Sequence, residues 1–157
     1  MKLEFVFVGG DKTPWLESFV AEYVKKLSRH YNTQVTRLKP KSLSRDQAES
    51  KRRIETEQIL AALKSGDWVV VFDERGKALS SLQLASRLEN WLNKGRSRIV
   101  FVVGGAFGFD DRLRTRADEV ISLSNFVLNH HVAEAVALEQ VYRAISINKN
   151  LPYHNED

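Results

Sequence analysis

Cysteine is missing from all 157 residues, which removes both a disulfide framework and a thiolate metal site. Long hydrophobic runs are missing too: no stretch approaches the roughly eighteen apolar residues that a membrane helix needs. The start Met1-Lys2-Leu3-Glu4-Phe5 is charged too soon for a secretory signal, so a soluble, cytoplasmic protein is expected. No internal repeat, linker or low-complexity segment interrupts the chain. With 43% hydrophobic residues it is long enough for one compact domain, residues 1–157, that buries roughly two thirds of its unfolded-chain surface.

Charge is modestly unbalanced, with 24 Lys plus Arg against 20 Asp plus Glu, a net +4 and a pI near 9.4. That balance favours a polyanionic partner without requiring one.

Three continuous apolar runs stand out: Lys2 to Val8, closed by Gly9-Gly10; Trp68 to Phe72; and Ile99 to Val103. Runs of this kind suit strands buried on both faces of a parallel sheet. Gln34 to Leu38, which alternates, and Val120 to Leu123 are weaker strand candidates. Between them the period lengthens. Trp15, Leu16, Phe19, Val20, Tyr23, Val24 and Leu27 share one helical face behind a Thr13 cap and Pro14. Ser44 with Gln47 and Ser80 with Gln83 match capping boxes, opening a polar helix to about Leu63 and a second helix that stops at Gly95. From His130 to Ile147 a broad stripe of small residues marks a helix packed on several sides, a second subunit being one candidate neighbour. Strands alternating with helices predict an α/β three-layer sandwich with a mostly parallel sheet.

In such sheets ligands lie outside the carboxyl ends of the strands, which directs attention to the segments after Phe72, Val103 and Leu123. Gly104-Gly105-Ala106-Phe107-Gly108 allows close backbone approach to a ligand, or is a plain strand-to-helix turn; its spacing is neither the dinucleotide G-x-G-x-x-G nor a phosphate loop. Asp73 to Lys77 reads most simply as a solvated turn. Ser122 to Asn129 carries more apolar residues than a solvent loop needs, which suits a cover over an apolar ligand or a short strand. His130-His131 lack partners at ligand spacing, so no metal is expected. Arg143 with Tyr153 and His154 offers a phosphate clamp, a stacking ring and an imidazole, or a frayed tail.

Taken in order, Lys2-Leu3 with Val8-Gly9, Gly76-Lys77, Val103-Gly104-Gly105 with Gly108, Leu123-Ser124, Glu139 with Tyr142-Arg143-Ala144, and Pro152-Tyr153-His154 form a collinear set. On that set the chain resembles, from Met1 to about His154, the ribosomal RNA large subunit methyltransferase H family of the knotted SPOUT class. The resemblance implies a C-terminal trefoil knot, a homodimer, and methyl transfer from S-adenosyl-L-methionine to N3 of a pseudouridine in large-subunit (23S) rRNA on the assembled ribosome. It places Phe72, Gly104 and Leu123, Ser124, Asn125, Phe126, Val127 and Leu128 around the cofactor, and makes His130, Arg143, Tyr153 and His154 catalytic candidates. A Gly104→Val change is expected to block the pocket and spare the fold.

The family usually has Pro-His before the last helix and an arginine four residues after that histidine. Here Asn129-His130 and Glu134 stand instead, which reads as a basic RNA contact turned acidic. That departure keeps a non-catalytic ribosome-binding module as one alternative; an unrelated doubly wound nucleotide- or flavin-binding protein is the other.

Overall fold

The computed structural model describes residues 1–9, 13–39 and 47–155. In chain order the elements are β1 (Lys2–Val8), α1 (Pro14–Ser28), β2 (Asn32–Leu38), α2 (Ala48–Ala62), β3 (Trp68–Ala78), α3 (Ser81–Leu92), β4 (Arg98–Val103), α4 (Asp111–Arg116), β5 (Glu119–Ser122) and α5 (His130–Asn148). All strand pairings are parallel, in the order β2-β1-β4-β3-β5.

Successive side chains of a strand point to opposite faces, and here each face has its own core. Leu3, Phe5, Phe7, Val70, Phe72, Ile99, Phe101 and Val103 meet Tyr23 and Leu27 of α1, Leu88 and Trp91 of α3, and Leu138, Val141 and Ile145 of α5. Phe5, Phe101 and Phe72 stack across three neighbouring strands, with ring centroids 4.9 and 6.1 Å apart. On the other face Val6, Val8, Val69, Val71, Val100 and Val102 meet Ile59 of α2, Leu113 of α4 and Phe109. Burial of both faces is why the central strands read as unbroken apolar runs.

The capping box of α3 forms as expected: Gln83 N–H donates to Ser80 Oγ (3.1 Å) and Ser80 N–H to Gln83 Oε1 (2.9 Å). Thr13 does occupy the N-cap position of α1, but its side chain makes no capping bond, leaving Pro14 as the start signal. Ser44 lies outside the described residues. Helix α3 ends at Leu92, ahead of Gly95, whose φ is +72°. Helix α4 was not anticipated, because its six residues are mostly charged and only Leu113 among them is buried.

The largest departure concerns Asp73 to Lys77. Instead of a turn, β3 continues to Ala78, with a bulge after Phe72: Phe72 and Lys77 both stand opposite Ile121. The chain then passes so close to β5 that a Cβ on Gly76 would lie 2.7 Å from Ile121 N and from Val120 C. Glycine is the residue that fits.

Helix α5 packs inside its own chain against α1, α3 and β4, which accounts for its small residues Ala137 and Ala144, both fully buried. Glu134 is likewise fully buried. Arg37, at the end of β2, donates from Nη1 and Nη2 to its two oxygens at 3.0 and 3.1 Å, and from Nη1 to the carbonyl of Gly9. Glu134, expected as an acidic RNA contact, is instead the buried half of an ion pair with the partly exposed Arg37, holding the carboxyl ends of β1 and β2 to the start of α5. Burial pushes the Glu134 carboxyl above the usual range, against the pull of Arg37 and His131.

Candidate active site

Because β5 sits beside β3, and β3 beside β4, the segments leaving these three strands are neighbours at one end of the sheet. They enclose a cleft of about 690 Å³. Phe72, Val103, Leu123, Leu128 and Ala133 supply apolar surface, while Arg52, Asp73, Glu74, Arg75, Asp111 and Arg114 supply charge. The mixture suits a ligand with an apolar, flat part and a charged end.

The glycine segment is a tight turn: Gly108 N–H donates to Gly105 O (3.0 Å), and Gly108 has a φ of +74°. Helix α2 holds it from behind. Arg52 Nε donates to Phe107 O (3.1 Å), and Asp110 N–H donates to Thr56 Oγ1 (2.9 Å), whose hydroxyl donates to Arg52 O. Nothing in the polar pattern of α2 announced this supporting role; its signal was only that a polar helix carries residues buried as deeply as Glu55 and Thr56. A Cβ at Gly104 would stand 2.9 Å from the Phe109 ring, so a valine there would push on the core. Gly104→Val would disturb packing as well as the cleft, contrary to the expectation of a spared fold.

The segment after β5 is a loop, not a strand. Ser122 Oγ donates to Ser124 O (2.8 Å) and Phe126 N–H donates to Ser124 Oγ (2.9 Å), which turns the chain and leaves Phe126 83% and Val127 80% exposed. Of the residues expected around the cofactor, Phe72, Gly104, Leu123, Ser124, Phe126, Val127 and Leu128 line the cleft, and Asn125 does not. Arg114 carries no local motif, yet its Nε donates to Asp73 Oδ2 (2.8 Å) and its Nη1 to Asp111 Oδ1 (2.6 Å), fixing the α4 side of the rim. Two charged segments far apart in the chain gave no local sign that they would pair.

Of the catalytic candidates, His130 lines the cleft at the start of α5. Arg143 lies thirteen residues further along the same helix, about 20 Å of rise away. It gathers the others around Glu139: Arg143 Nη2 donates to Glu139 Oε1 (2.6 Å), Tyr153 OH donates to the same oxygen (3.0 Å) and shares a 2.8 Å bond with Tyr23 OH, and Arg143 Nη1 lies 3.0 Å from His154 Nδ1. The tail is thus docked through residue 154, not frayed. Burial and these hydrogen bonds push the Tyr153 phenol far above its ordinary pKa, so it stays protonated. The structure brings Arg143, Tyr153 and His154 together and keeps them apart from His130. No cluster of three or more His, Cys, Asp or Glu suited to a metal occurs among the described residues.

A family model described as "Predicted SPOUT methyltransferase" matches residues 1–154. The chain belongs to the SPOUT methyltransferase family. This SPOUT protein is 44% identical over 144 residues to the Ribosomal RNA large subunit methyltransferase H of Bdellovibrio bacteriovorus, covering 92% of each chain. It is 38% identical over 156 residues to the protein of that name from Dechloromonas aromatica, covering 99% of each, and 36% identical over 157 residues to that from Methylobacillus flagellatus, covering 99% of this chain and 100% of the other. The SPOUT cleft is assembled from the strand-end segments that carry Gly76-Lys77, Val103 to Gly108 and Leu123-Ser124, the motifs on which the resemblance stood. No helix among the described residues is long and apolar enough to cross a membrane.

Proposed function

We propose that this chain, as a cytoplasmic homodimer, transfers the methyl group of S-adenosyl-L-methionine to N3 of a pseudouridine in large-subunit ribosomal RNA on the assembled ribosome. The observation that carries the reading is the convergence of three separate strand-end segments on one cleft whose apolar floor and charged rim suit the adenosyl and amino-acid parts of that cofactor. Phe72, Gly104, Leu123, Ser124, Phe126, Val127 and Leu128 would hold it, and it would supply an electrophilic methyl group.

N3 of the base carries a proton that must leave, and the methyl group must meet the nitrogen in line at about 3 to 3.5 Å. His130 is the imidazole placed at the cleft and serves as the base in this scheme. Arg143, Tyr153 and His154, about 20 Å along the helix from His130, bind RNA, and recognition draws on both subunits. Buried Glu134 lies off any RNA-facing surface, so it no longer favours a lapsed enzyme.

The test is transfer of labelled methyl to ribosomes lacking the modification, with the nucleotide mapped by mass spectrometry. Label at N3 of a large-subunit pseudouridine supports the proposal; measurable cofactor binding without label on any ribosomal RNA overturns it. Equal methylation of isolated RNA fragments and intact ribosomes would overturn the ribosome as substrate.

A further inference from the structure

Beneath the glycine turn lies a carboxylate that the scheme above does not use. Glu55, in the middle of α2, is 6% exposed, and its Oε2 is buried with no hydrogen-bond partner. A Cβ on Gly105 would stand 3.0 Å from Oε1 and 3.2 Å from Oε2, and Gly105 itself lines the cleft. Only the backbone of a glycine therefore separates this acid from the ligand space. An internal carboxylate without a full set of partners is costly, and a purely structural one would be paired.

Among the described residues the neighbouring cations have other partners as well. Arg52 is bonded to Phe107 O, and Lys51 lies over the Phe107 ring at 4.8 Å. On the loop side, Asp110 is held by Arg112. Burial pushes the Glu55 carboxyl above its ordinary range and Lys51 opposes the shift, so a further positive charge nearby would favour its ionised form.

We propose that Glu55 is a specificity-determining residue, acting through the Gly105 backbone, that makes the cleft prefer a positively charged ligand over a neutral one of the same shape; this rests on the reading of the cleft as an S-adenosyl-L-methionine site. Methyl transfer moves a methyl group with its bond broken from sulfur, so the sulfonium keeps the electron pair and becomes a neutral thioether. The donor loses one positive charge on becoming product. Glu55 then attracts the donor, not the product, which helps S-adenosyl-L-homocysteine to leave.

Calorimetric titration of S-adenosyl-L-methionine and S-adenosyl-L-homocysteine into wild type, Glu55→Gln and Lys51→Gln tests this. Glu55→Gln is expected to lower the donor-to-product affinity ratio about tenfold, mainly by weakening the donor. Lys51→Gln, which removes the cation that favours the ionised form of Glu55, is expected to lower the ratio as well. Thermal melts report whether each variant folds. Two folded variants with ratios within twofold of wild type overturn the role of Glu55; if Glu55→Gln does not melt cooperatively, an unchanged ratio in Lys51→Gln does so alone. Wild type that binds neither compound overturns the cofactor reading itself, a distinguishable failure.

Discussion

Arg37→Met puts the internal ion pair to a quantitative test. The Glu134 side chain is fully buried and that of Arg37 is 25% exposed. Removing one partner of a buried pair strands the other and costs about 3–5 kcal/mol; with Arg37 partly open to water, about 3 kcal/mol is expected. In a domain of this size that lowers Tm by about 6–12 °C. Glu134→Gln, which leaves Arg37 an acceptor and buries no charge, should cost less, and the double reversal Arg37→Glu with Glu134→Arg should recover part of the loss.

The pH dependence adds a second constraint. Burial raises the Glu134 carboxyl in the folded protein, so the native state holds its proton more tightly than the unfolded chain does. The group's contribution is fully present below the ordinary carboxylate pKa and is lost as pH rises through the raised folded value. Without Arg37 the opposing pull disappears and that window moves to higher pH. Urea midpoints measured from about pH 4 to about pH 8 should therefore show the Arg37→Met deficit growing as pH rises. A deficit below about 1 kcal/mol at neutral pH, or one that does not vary with pH, would refute the assignment of Glu134 as an internal, arginine-paired carboxylate.

Gly76→Ala should destabilise by about 2 kcal/mol or more, since its methyl group would meet the backbone of β5 at 2.7 Å; a urea midpoint like that of wild type would contradict the close passage. Phe126→Ser should leave stability within about 0.5 kcal/mol, because the ring is 83% exposed, while weakening cofactor binding in a calorimetric titration; unchanged affinity would remove the ring from the site. Arg98→Met should cost about 3 kcal/mol by stranding Asp67, to which Arg98 donates at 2.6 and 2.9 Å. Burial alone would raise Asp67, yet bonds from Arg98 and the Lys64 N–H hold it below its usual range. Its contribution is present above the ordinary aspartate pKa and is lost as pH falls through the folded value, so acid unfolding of Arg98→Met should show a weaker pH dependence than wild type.

The strand runs, the helix faces and the Ser80–Gln83 box were legible because each rests on a local pattern: an unbroken apolar run, period 3.6, or side chains bonding backbone within one turn. The three segments of the cleft were legible through a general rule, that a parallel sheet binds ligands at its carboxyl ends. Other features depended on partners distant in the chain. Asp73 to Lys77 has the composition of a turn, and only its pairing with β5, more than forty residues later, keeps it extended. Glu134 has the composition of a surface contact, and only Arg37, 97 positions away, makes its burial tolerable. The same holds for Glu55, an ordinary acid on a polar helix until the fold presses Gly105 against it. Local chemistry along the chain thus determined which elements form and where a ligand enters. Which charges are buried, and against what, was decided only in the tertiary structure, because the energy of a charge depends on the solvent and partners that folding leaves around it.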